Sequence, residues 1–311
     1  MPARPTRRQF LLGSAGALGV AGALGGGGLL VGQDDPAPPP QRIPDPPRRP
    51  SPTDAVSTVE WIRSTARGRA VRLVTVLPPD ADRSGLPVCV ALHGLRGNAL
   101  WFGEAGNRRL LGDAWARGVP TFALVAVDGG DNYWHPYTRG DDPLRMLLEE
   151  LPAWLRERGL ATTPAPGDLP GEPAMATGVS MGGAGALLYT RERVRRQRPT
   201  RAVGVISPGL FTDWRAAARR PFRDRPDWEA HDPLRFCPEL AGVPTGVWCG
   251  DADPFVEATR RYVALARPEV ATIGPGRHDG VYYARVMPDV IGFLGRHARD
   301  QQPGAGPRRA G

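Results

Sequence analysis

The chain has 311 residues, of which 41% are hydrophobic and 23% charged, a balance typical of a globular protein rather than a disordered or fibrous one. Its net charge is +8 and every basic residue is arginine, but residues 1–53 carry +3 and residues 299–311 carry +2 of that excess. The remaining +3 is spread over the long central segment, so the composition does not predict a nucleic-acid-binding protein.

An export signal is predicted at the N-terminus. Arg7 and Arg8 precede Phe10 and Leu11, and an uncharged, glycine-rich apolar run continues to Gly32. This pattern resembles a twin-arginine export signal. The run is also long enough to span a bilayer, which takes ~20 apolar residues, so a cleaved signal and a membrane anchor both stay open. Either outcome predicts a protein that works outside the cytoplasm, secreted or membrane-anchored.

Composition divides the chain into four segments. They are a signal or anchor (1–33), a proline-rich linker (34–54), a folded domain (55–298) and a disordered tail (299–311). Of these, the third has the length and the apolar content to bury a core.

Short apolar runs alternate with amphipathic segments throughout residues 55–298. The predicted strands are 56–62, 70–77, 88–92, 121–127, 174–179, 202–206, 245–249 and 270–273. The predicted helices are 107–117, 143–158, 181–195, 254–266 and 281–298. Strands that alternate with helices predict an α/β fold with a mostly parallel central sheet and helices on both faces. Residues 207–242 contain no strong strand, so we expect little or no cap beyond a small excursion there.

One pentapeptide, residues 178–182, has the pattern of a catalytic serine motif. Gly178-Val179-Ser180-Met181-Gly182 stands between a short apolar run and a run of small helical residues, which is the strand–turn–helix setting of a nucleophile elbow. The sharp turn needs residues without side chains two positions before and after the serine, and Gly178 and Gly182 meet that need. The motif predicts a nucleophilic Ser180 in a serine hydrolase or acyltransferase. The alternative is a glycine-rich turn with a bystander serine.

A serine hydroxyl needs a base, and the base needs a carboxylate that fixes its tautomer. Where such an elbow carries the serine, the acid and then the histidine are expected later in the chain, on loops that follow strands. His278 meets that requirement, because the other four histidines precede Ser180, lie in a turn, or stand near the end of the last helix. For the acid, Asp253 competes with Asp251, and we favour Asp253 because it directly precedes Pro254.

The tetrahedral intermediate also needs amide donors. One should be the N–H of Met181, directly after the nucleophile. The other should come from the loop after an early strand, where Gly94 lets the chain fold in close and Leu95 supplies the N–H. His93 is then a positioning residue of the substrate site rather than the base.

Four motifs carry a family resemblance. They are His93-Gly94-Leu95-Arg96-Gly97, Gly178-Val179-Ser180-Met181-Gly182-Gly183, Gly250-x-x-Asp253-Pro254-Phe255 and Gly276-x-His278-Asp279-x-x-Tyr282-Tyr283. Together they resemble α/β-hydrolases of the esterase D and mycolyltransferase type over most of residues 55–298. The resemblance implies an α/β-hydrolase fold in which these residues are the oxyanion loop, nucleophile, acid and base.

The same resemblance extends to the segment from Asp128 to His135, which is similar to the loop that lines the acyl-ester site in that family. It implies that Tyr133 and Trp134 contact the substrate, while aromatic packing under a loop is the alternative. Mycolyltransferases use glutamate as the acid, so Asp253 indicates the esterase-like members.

The leading hypothesis is an exported serine carboxylesterase that hydrolyses acyl esters through a Ser-His-Asp triad and an acyl-enzyme. One alternative is an acyltransferase, similar to mycolyltransferases, that moves an acyl group to a cell-envelope sugar. Another is a catalytically silent binding protein associated with the envelope. The expected partner is a small-molecule, lipid or sugar ester, with the N-terminus as a possible tether to the membrane or envelope.

No cofactor is expected, and no Cys/His spacing in the sequence resembles a metal site. Cys89 lies in an apolar strand and is expected to be buried. Pairing of Cys237 with Cys249 stays open, because an oxidising compartment would permit it.

Overall fold

A computed structural model describes residues 55–79, 81–160 and 169–298. The predicted signal or anchor, the linker and the tail lie outside these residues. The described residues form one eight-stranded sheet in the order β1-β2-β4-β3-β5-β6-β7-β8. The strands are β1 (Val56–Ser64), β2 (Arg69–Leu77), β3 (Val88–Leu92), β4 (Ala123–Val127), β5 (Met175–Val179), β6 (Ala202–Ile206), β7 (Thr245–Gly250) and β8 (Val270–Gly274). Each lies where the alternation of apolar runs predicts it.

Strand β2 pairs antiparallel with both β1 and β4, and the other neighbours pair in parallel. The register places Leu92 beside Gly178, Val179 beside Ile206, and Gly250 beside Gly274. The carboxyl ends of six neighbouring strands, β3 to β8, therefore meet at one edge of the sheet. In open α/β sheets this edge is where ligands bind, so the loops after these strands are where a site is expected.

Helices cover both faces of the sheet. They are α1 (Leu100–Gly103), α2 (Ala105–Ala116), α3 (Pro143–Arg145), α4 (Leu151–Glu157), α5 (Met181–Arg195), α6 (Trp214–Ala217), α7 (Arg225–His231), α8 (Pro233–Phe236), α9 (Val256–Ala266) and α10 (Gly280–Ala298). Two buried apolar clusters result, one involving α4, α5 and α9 and the other involving α2 and α10. Strands β3 to β7 are buried along their whole length, because apolar side chains point into both clusters.

Two helical segments differ from the simple pattern. The helix predicted over 143–158 contains a π-helical turn at Met146–Glu150, directly before α4. Pro152 lies in the first turn of α4 and has no N–H to donate to the preceding turn, which accounts for the interruption. The strandless excursion 207–242 holds α6, α7, α8 and a short 3₁₀ turn at Cys237–Leu240. None of the helices in the described part of the chain is long and apolar enough to cross a membrane.

Candidate active site

Ser180 sits at the tip of a sharp turn between β5 and α5. Its backbone has φ 55° and ψ −123°, a conformation that costs a non-glycine residue ~1–3 kcal/mol. A Cβ on Gly178 would overlap the carbonyl of Gly182, and a Cβ on Gly182 would overlap the carbonyl of Leu92. The sequence therefore has glycine at the two positions where the turn leaves no space for a side chain.

Backbone hydrogen bonds hold this strained conformation. The N–H of Ser180 donates to the carbonyl of Ile206 at 2.9 Å, which ties the turn to the end of β6. The carbonyl of Ser180 accepts from Gly183 at 2.9 Å and from Gly209 at 2.8 Å. Because both backbone polar groups of Ser180 are fixed, the side chain is left as the group that can meet a ligand, and it is partly exposed.

The predicted nucleophile, base and acid come together in one chain of hydrogen bonds. Nε2 of His278 lies 2.8 Å from Oγ of Ser180, and Nδ1 of His278 lies 2.8 Å from Oδ2 of Asp253. The carboxylate can only accept, so Nδ1 carries the proton and Nε2 presents its lone pair to the serine hydroxyl. This arrangement can take the proton of Ser180 as its oxygen attacks an electrophile.

Asp253 is the carboxylate in this chain, and its side chain is fully buried. Burial alone would raise the pKa of Asp253, but hydrogen bonds from His278 and from the N–H of Phe255 hold that pKa below its usual value. Asp251, the competing candidate, is exposed and accepts from the N–H of Gly276 at 3.2 Å. It shapes the loop that carries the histidine and does not touch the ring.

Two aromatic rings fix the plane of His278. Phe255 and Tyr283 pack against it edge to face, with ring centroids 5.0 Å and 5.6 Å away. Gly250 lets the acid loop approach the histidine loop, because a Cβ there would overlap the carbonyl of Gly276. The two loops are thus held against each other, and the ring needs no rearrangement to reach both Ser180 and Asp253.

The loop after β3 packs directly on the serine. A Cβ placed on Gly94 would lie 3.2 Å from Cβ of Ser180 and 3.8 Å from its Oγ. Among the described residues, neither the N–H of Leu95 nor that of Met181 donates to a backbone or side-chain acceptor. The two predicted oxyanion donors therefore belong to segments that border Ser180. Their N–H groups are not used in other hydrogen bonds among the described residues.

Trp134 is not open to a substrate, which corrects the expectation that it contacts one, and His93 lies buried beside it. The two are 0% and 2% exposed, respectively. Nε2 of His93 accepts from the N–H of Gly129, and its carbonyl accepts from Nε1–H of Trp134. The indole fills a slot between Gly129 and Gly185, where a Cβ on either glycine would overlap it. For Trp134, the structure shows the packing alternative: both residues fix the loops around the site.

Arg67 is a positioning residue that the sequence analysis missed. Its buried guanidinium pairs with the carboxylate of Asp141 and donates to the carbonyl of Asp128 at 2.5 Å. A charge so deeply buried requires such partners. The contacts brace the loop after β4 that carries Gly129. A buried arginine among many surface arginines has no sequence signature, so nothing in the sequence singled it out.

Tyr133 lies at the start of an apolar cleft next to the serine. Behind its open mouth the cleft is narrow, with about 10 Å³ of free space for a water-sized molecule. Its lining residues include Tyr133, Leu188, Gly209, Phe211 and Phe222. A Cβ on Gly209 would lie 3.2 Å from both the backbone nitrogen of Met181 and the hydroxyl of Tyr133, so the cleft begins at the amide that follows the serine.

The three cysteines are free and buried. Pairing of Cys237 with Cys249, which the sequence left open, is therefore absent. Burial raises the pKa of the Cys249 thiol to about 11. These thiols behave as core residues and take no part in the arrangement around Ser180.

The sequence matches the model of the family Esterase, described as "Putative esterase", over residues 64–259, which is more than half of the chain. Ser180 and Asp253 lie within the matched range, and His278 lies beyond it. No curated protein matches the chain.

Solved structures of several esterases and hydrolases have the same fold. A ferulic acid esterase is 18% identical over 78% of this chain and 98% of its own, with a TM-score of 0.63. An S-formylglutathione hydrolase from Agrobacterium tumefaciens is 17% identical over 79% and 97%, with a TM-score of 0.62. A fluorophosphonate-binding serine hydrolase F from Staphylococcus aureus is 15% identical over 78% and 99%, with a TM-score of 0.60. At this identity the matches confirm the predicted α/β-hydrolase fold and do not identify a substrate.

Proposed function

Because this chain belongs to the Esterase family of carboxylic ester hydrolases, we propose that it is an exported serine carboxylesterase that works through an acyl-enzyme on Ser180. The observation that carries the proposal is the continuous set of contacts from Asp253 through His278 to Ser180, each 2.8 Å long. Such a set activates a hydroxyl that is otherwise a poor nucleophile at neutral pH.

In the proposed mechanism, Oγ of Ser180 attacks the ester carbonyl while Nε2 of His278 takes the hydroxyl proton. The negative charge on the former carbonyl oxygen is stabilised by the N–H groups of Leu95 and Met181. His278 then returns the proton to the departing alcohol, which leaves an acyl group on Ser180. Asp253 keeps the histidine in the required tautomer and stabilises the imidazolium form in both steps.

Water completes the reaction. His278 removes a proton from the water as it attacks the acyl-enzyme, and the same proton returns to Ser180 when the acid product leaves. The position of the apolar cleft supports its use for the acyl group, because it starts at Gly209, beside the amide of Met181. Hydrophobic side chains around the cleft favour an apolar acyl group over a charged one.

The export component rests on the N-terminal sequence. Arg7 and Arg8 before an apolar run favour transport through the twin-arginine pathway, with the mature protein secreted or held at the membrane. Replacing both arginines by lysine in a bacterial host with this translocase should retain the protein in the cytoplasm. Unchanged export of that variant would overturn this component and leave the esterase proposal intact.

A fluorophosphonate probe tests the nucleophile. The wild-type protein should become labelled on Ser180 and should hydrolyse p-nitrophenyl acetate, whereas Ser180→Ala should do neither. Ser84→Ala is the matched control, because Ser84 is an exposed loop serine whose loss leaves the site unchanged. A folded wild-type protein that neither reacts with the probe nor hydrolyses any p-nitrophenyl ester would favour the silent binding protein instead.

Product analysis separates the esterase from the acyltransferase. Both functions use the same acyl-enzyme and differ in the acceptor that reaches it. With a p-nitrophenyl ester and a large excess of trehalose or another sugar, the esterase predicts free acid as the product. Acylated sugar as the main product would show that the protein is an acyltransferase rather than an esterase.

A further inference from the structure

Three side chains of metal-ligating type meet beside the apolar cleft, and none of them belongs to the chain of hydrogen bonds around Ser180. Asp227 and His231 stand four residues apart on α7, so they share one face of that helix. His135 comes from the loop after β4. A ligand-type atom of each residue lies within 4.8 Å of such an atom of the other two. The cluster joins segments 92 residues apart, so no sequence spacing could indicate it.

His135 is the most informative member. It has no exposed surface, and its Nε2 lies 2.9 Å from the carbonyl of Pro221. A carbonyl can only accept, so Nε2 carries the proton and Nδ1 holds a lone pair. That buried Nδ1 has no hydrogen-bond partner among the described residues. A ring nitrogen oriented by a backbone carbonyl on its other side, with a free lone pair, is the usual state of a metal-binding histidine.

His231 and Asp227 complete the donor set. The rings of His231 and His135 are stacked, with centroids 4.3 Å apart. Nδ1–H of His231 donates to the backbone carbonyl of Asp227 at 2.7 Å, so Nε2 of His231 holds the lone pair that can bind an ion. The carboxylate of Asp227 also accepts from the backbone N–H of Arg223 at 2.9 Å and from its guanidinium, and that side chain is 58% exposed and can turn into solvent. Each carboxylate oxygen has further lone pairs, so this pairing does not use up its capacity as a ligand.

We propose that His135, Asp227 and His231 form a binding site for a divalent transition-metal ion, with Zn²⁺ the best match. Two imidazoles and one carboxylate, without thiolate, suit zinc among the ions of this class. Zinc–nitrogen bonds of ~2.0–2.1 Å place two tetrahedral ligands about 3.3 Å apart. The ligand atoms lie within 4.8 Å of one another, so side-chain movements of up to about 1.5 Å would close the cluster around an ion. Water would supply the fourth ligand.

The proposed ion would connect the excursion at residues 207–242 to the loop after β4. His231 also lines the apolar cleft, and His135 lies two residues after Tyr133, which lines it as well. An ion between them would hold α7 against the loop after β4 and so fix one wall of the cleft. The role is structural, and it stands or falls independently of the catalytic role proposed for Ser180.

Calorimetry with ZnCl₂ tests the site directly. The untagged full-length protein, stripped of metal with a chelator, should bind one Zn²⁺ per chain. At a hundredfold excess of free Zn²⁺ over the dissociation constant, its melting temperature should rise by about 5 °C or more. His231→Gln and Asp227→Asn should each weaken binding at least tenfold and remove that rise.

His297→Gln is the matched control. His297 also lies beside a carboxylate, with Nε2 3.2 Å from Glu269, but no third ligand joins this pair within residues 55–79, 81–160 and 169–298. This variant should bind Zn²⁺ like the wild type. If the cluster variants fail to fold, the visible d–d bands of the Co²⁺-loaded wild type, displaced by Zn²⁺, provide the second measurement. Failure of the folded wild type to bind Zn²⁺ saturably, or equal binding by folded His231→Gln, would overturn the proposal.

Discussion

Nε2 of His278 lies 2.8 Å from Oγ of Ser180, although 98 residues separate them in the chain. The contact exists because β5 and β8 run in the same direction and end at the same edge of the sheet. The two intervening strands set the lateral distance, and the loops after β7 and β8 bridge it. A parallel sheet thus assembles the reactive groups from loops that are far apart in sequence.

Asp253 and Asp251 form a natural pair for mutation, because both lie in the loop after β7 and only one touches His278. Asp253→Asn should lower kcat for p-nitrophenyl acetate by about 10³–10⁴-fold, since the amide favours the wrong histidine tautomer. Asp251→Asn should stay within a few-fold of the wild type. Steady-state kinetics of both variants provides the measurement, and the reverse ranking would identify Asp251 as the acid.

Gly182→Ala should destabilise the protein by several kcal/mol, because the new methyl group would overlap the carbonyl of Leu92, which is backbone and cannot move aside. Gly292→Ala, in α10, is the control. A Cβ at Gly292 meets nothing within 4 Å, and alanine is the better helix former by ~1 kcal/mol. Denaturant unfolding should therefore show opposite signs for the two substitutions, and equal effects would contradict the packing described for the elbow.

The positions of the strands and the chain order of the reactive residues could be predicted from the sequence. Buried parallel strands are continuous apolar runs, so β3 to β7 could be located in this way, while the more exposed β1 and β8 and the antiparallel β2 were located from shorter or more polar runs. The requirement for glycine at 178 and 182 follows from the turn itself. Ser180, Asp253 and His278 could be chosen because each follows a strand and few alternatives exist. Their meeting depends only on strand direction, which the alternation with helices predicts.

The residues that pack against the predicted site residues could not be predicted from the sequence. Trp134 and Tyr133 are adjacent aromatic residues, yet one fills a slot between Gly129 and Gly185 while the other lines the cleft. Both have positive φ angles, 61° and 52°, which no local pattern predicts. The side to which each ring turns is decided by tertiary contacts, so substrate contact could not be assigned to either from the sequence.

Stability should depend on the charge of Asp253. Its pKa in the folded protein is held below the usual value of 3.8, so the charged carboxylate stabilises the fold above that pH, and the contribution is lost as the pH falls through the folded-state pKa. The difference in melting temperature between wild type and Asp253→Asn should narrow as the pH falls from about 5 to below about 4. Ser180→Ala keeps the Asp253–His278 pair and should follow the wild type throughout. A gap that persists unchanged to pH 3 would contradict this assignment.

Short acyl esters should be better substrates than long ones. The free space inside the cleft is only about 10 Å³, room for about one water molecule, so the cleft must widen to take an acyl group and short chains need the least widening. Along a p-nitrophenyl series from acetate to palmitate, kcat/KM should fall at the longer chains. A preference for palmitate would show that the acyl group binds elsewhere.

Truncation of one cleft residue should shift that preference. Leu188 on α5 lines the cleft, and Leu187 beside it is equally buried but does not. Both alanine substitutions should destabilise the protein by ~2–5 kcal/mol, because each leaves a cavity in the core. Leu188→Ala alone should raise the kcat/KM ratio of octanoate to acetate, by about tenfold, since an extra methylene in an apolar pocket contributes ~1–3 kcal/mol. An equal change of that ratio in Leu187→Ala would mean that general loosening of the core, rather than the shape of the cleft, sets the acyl preference.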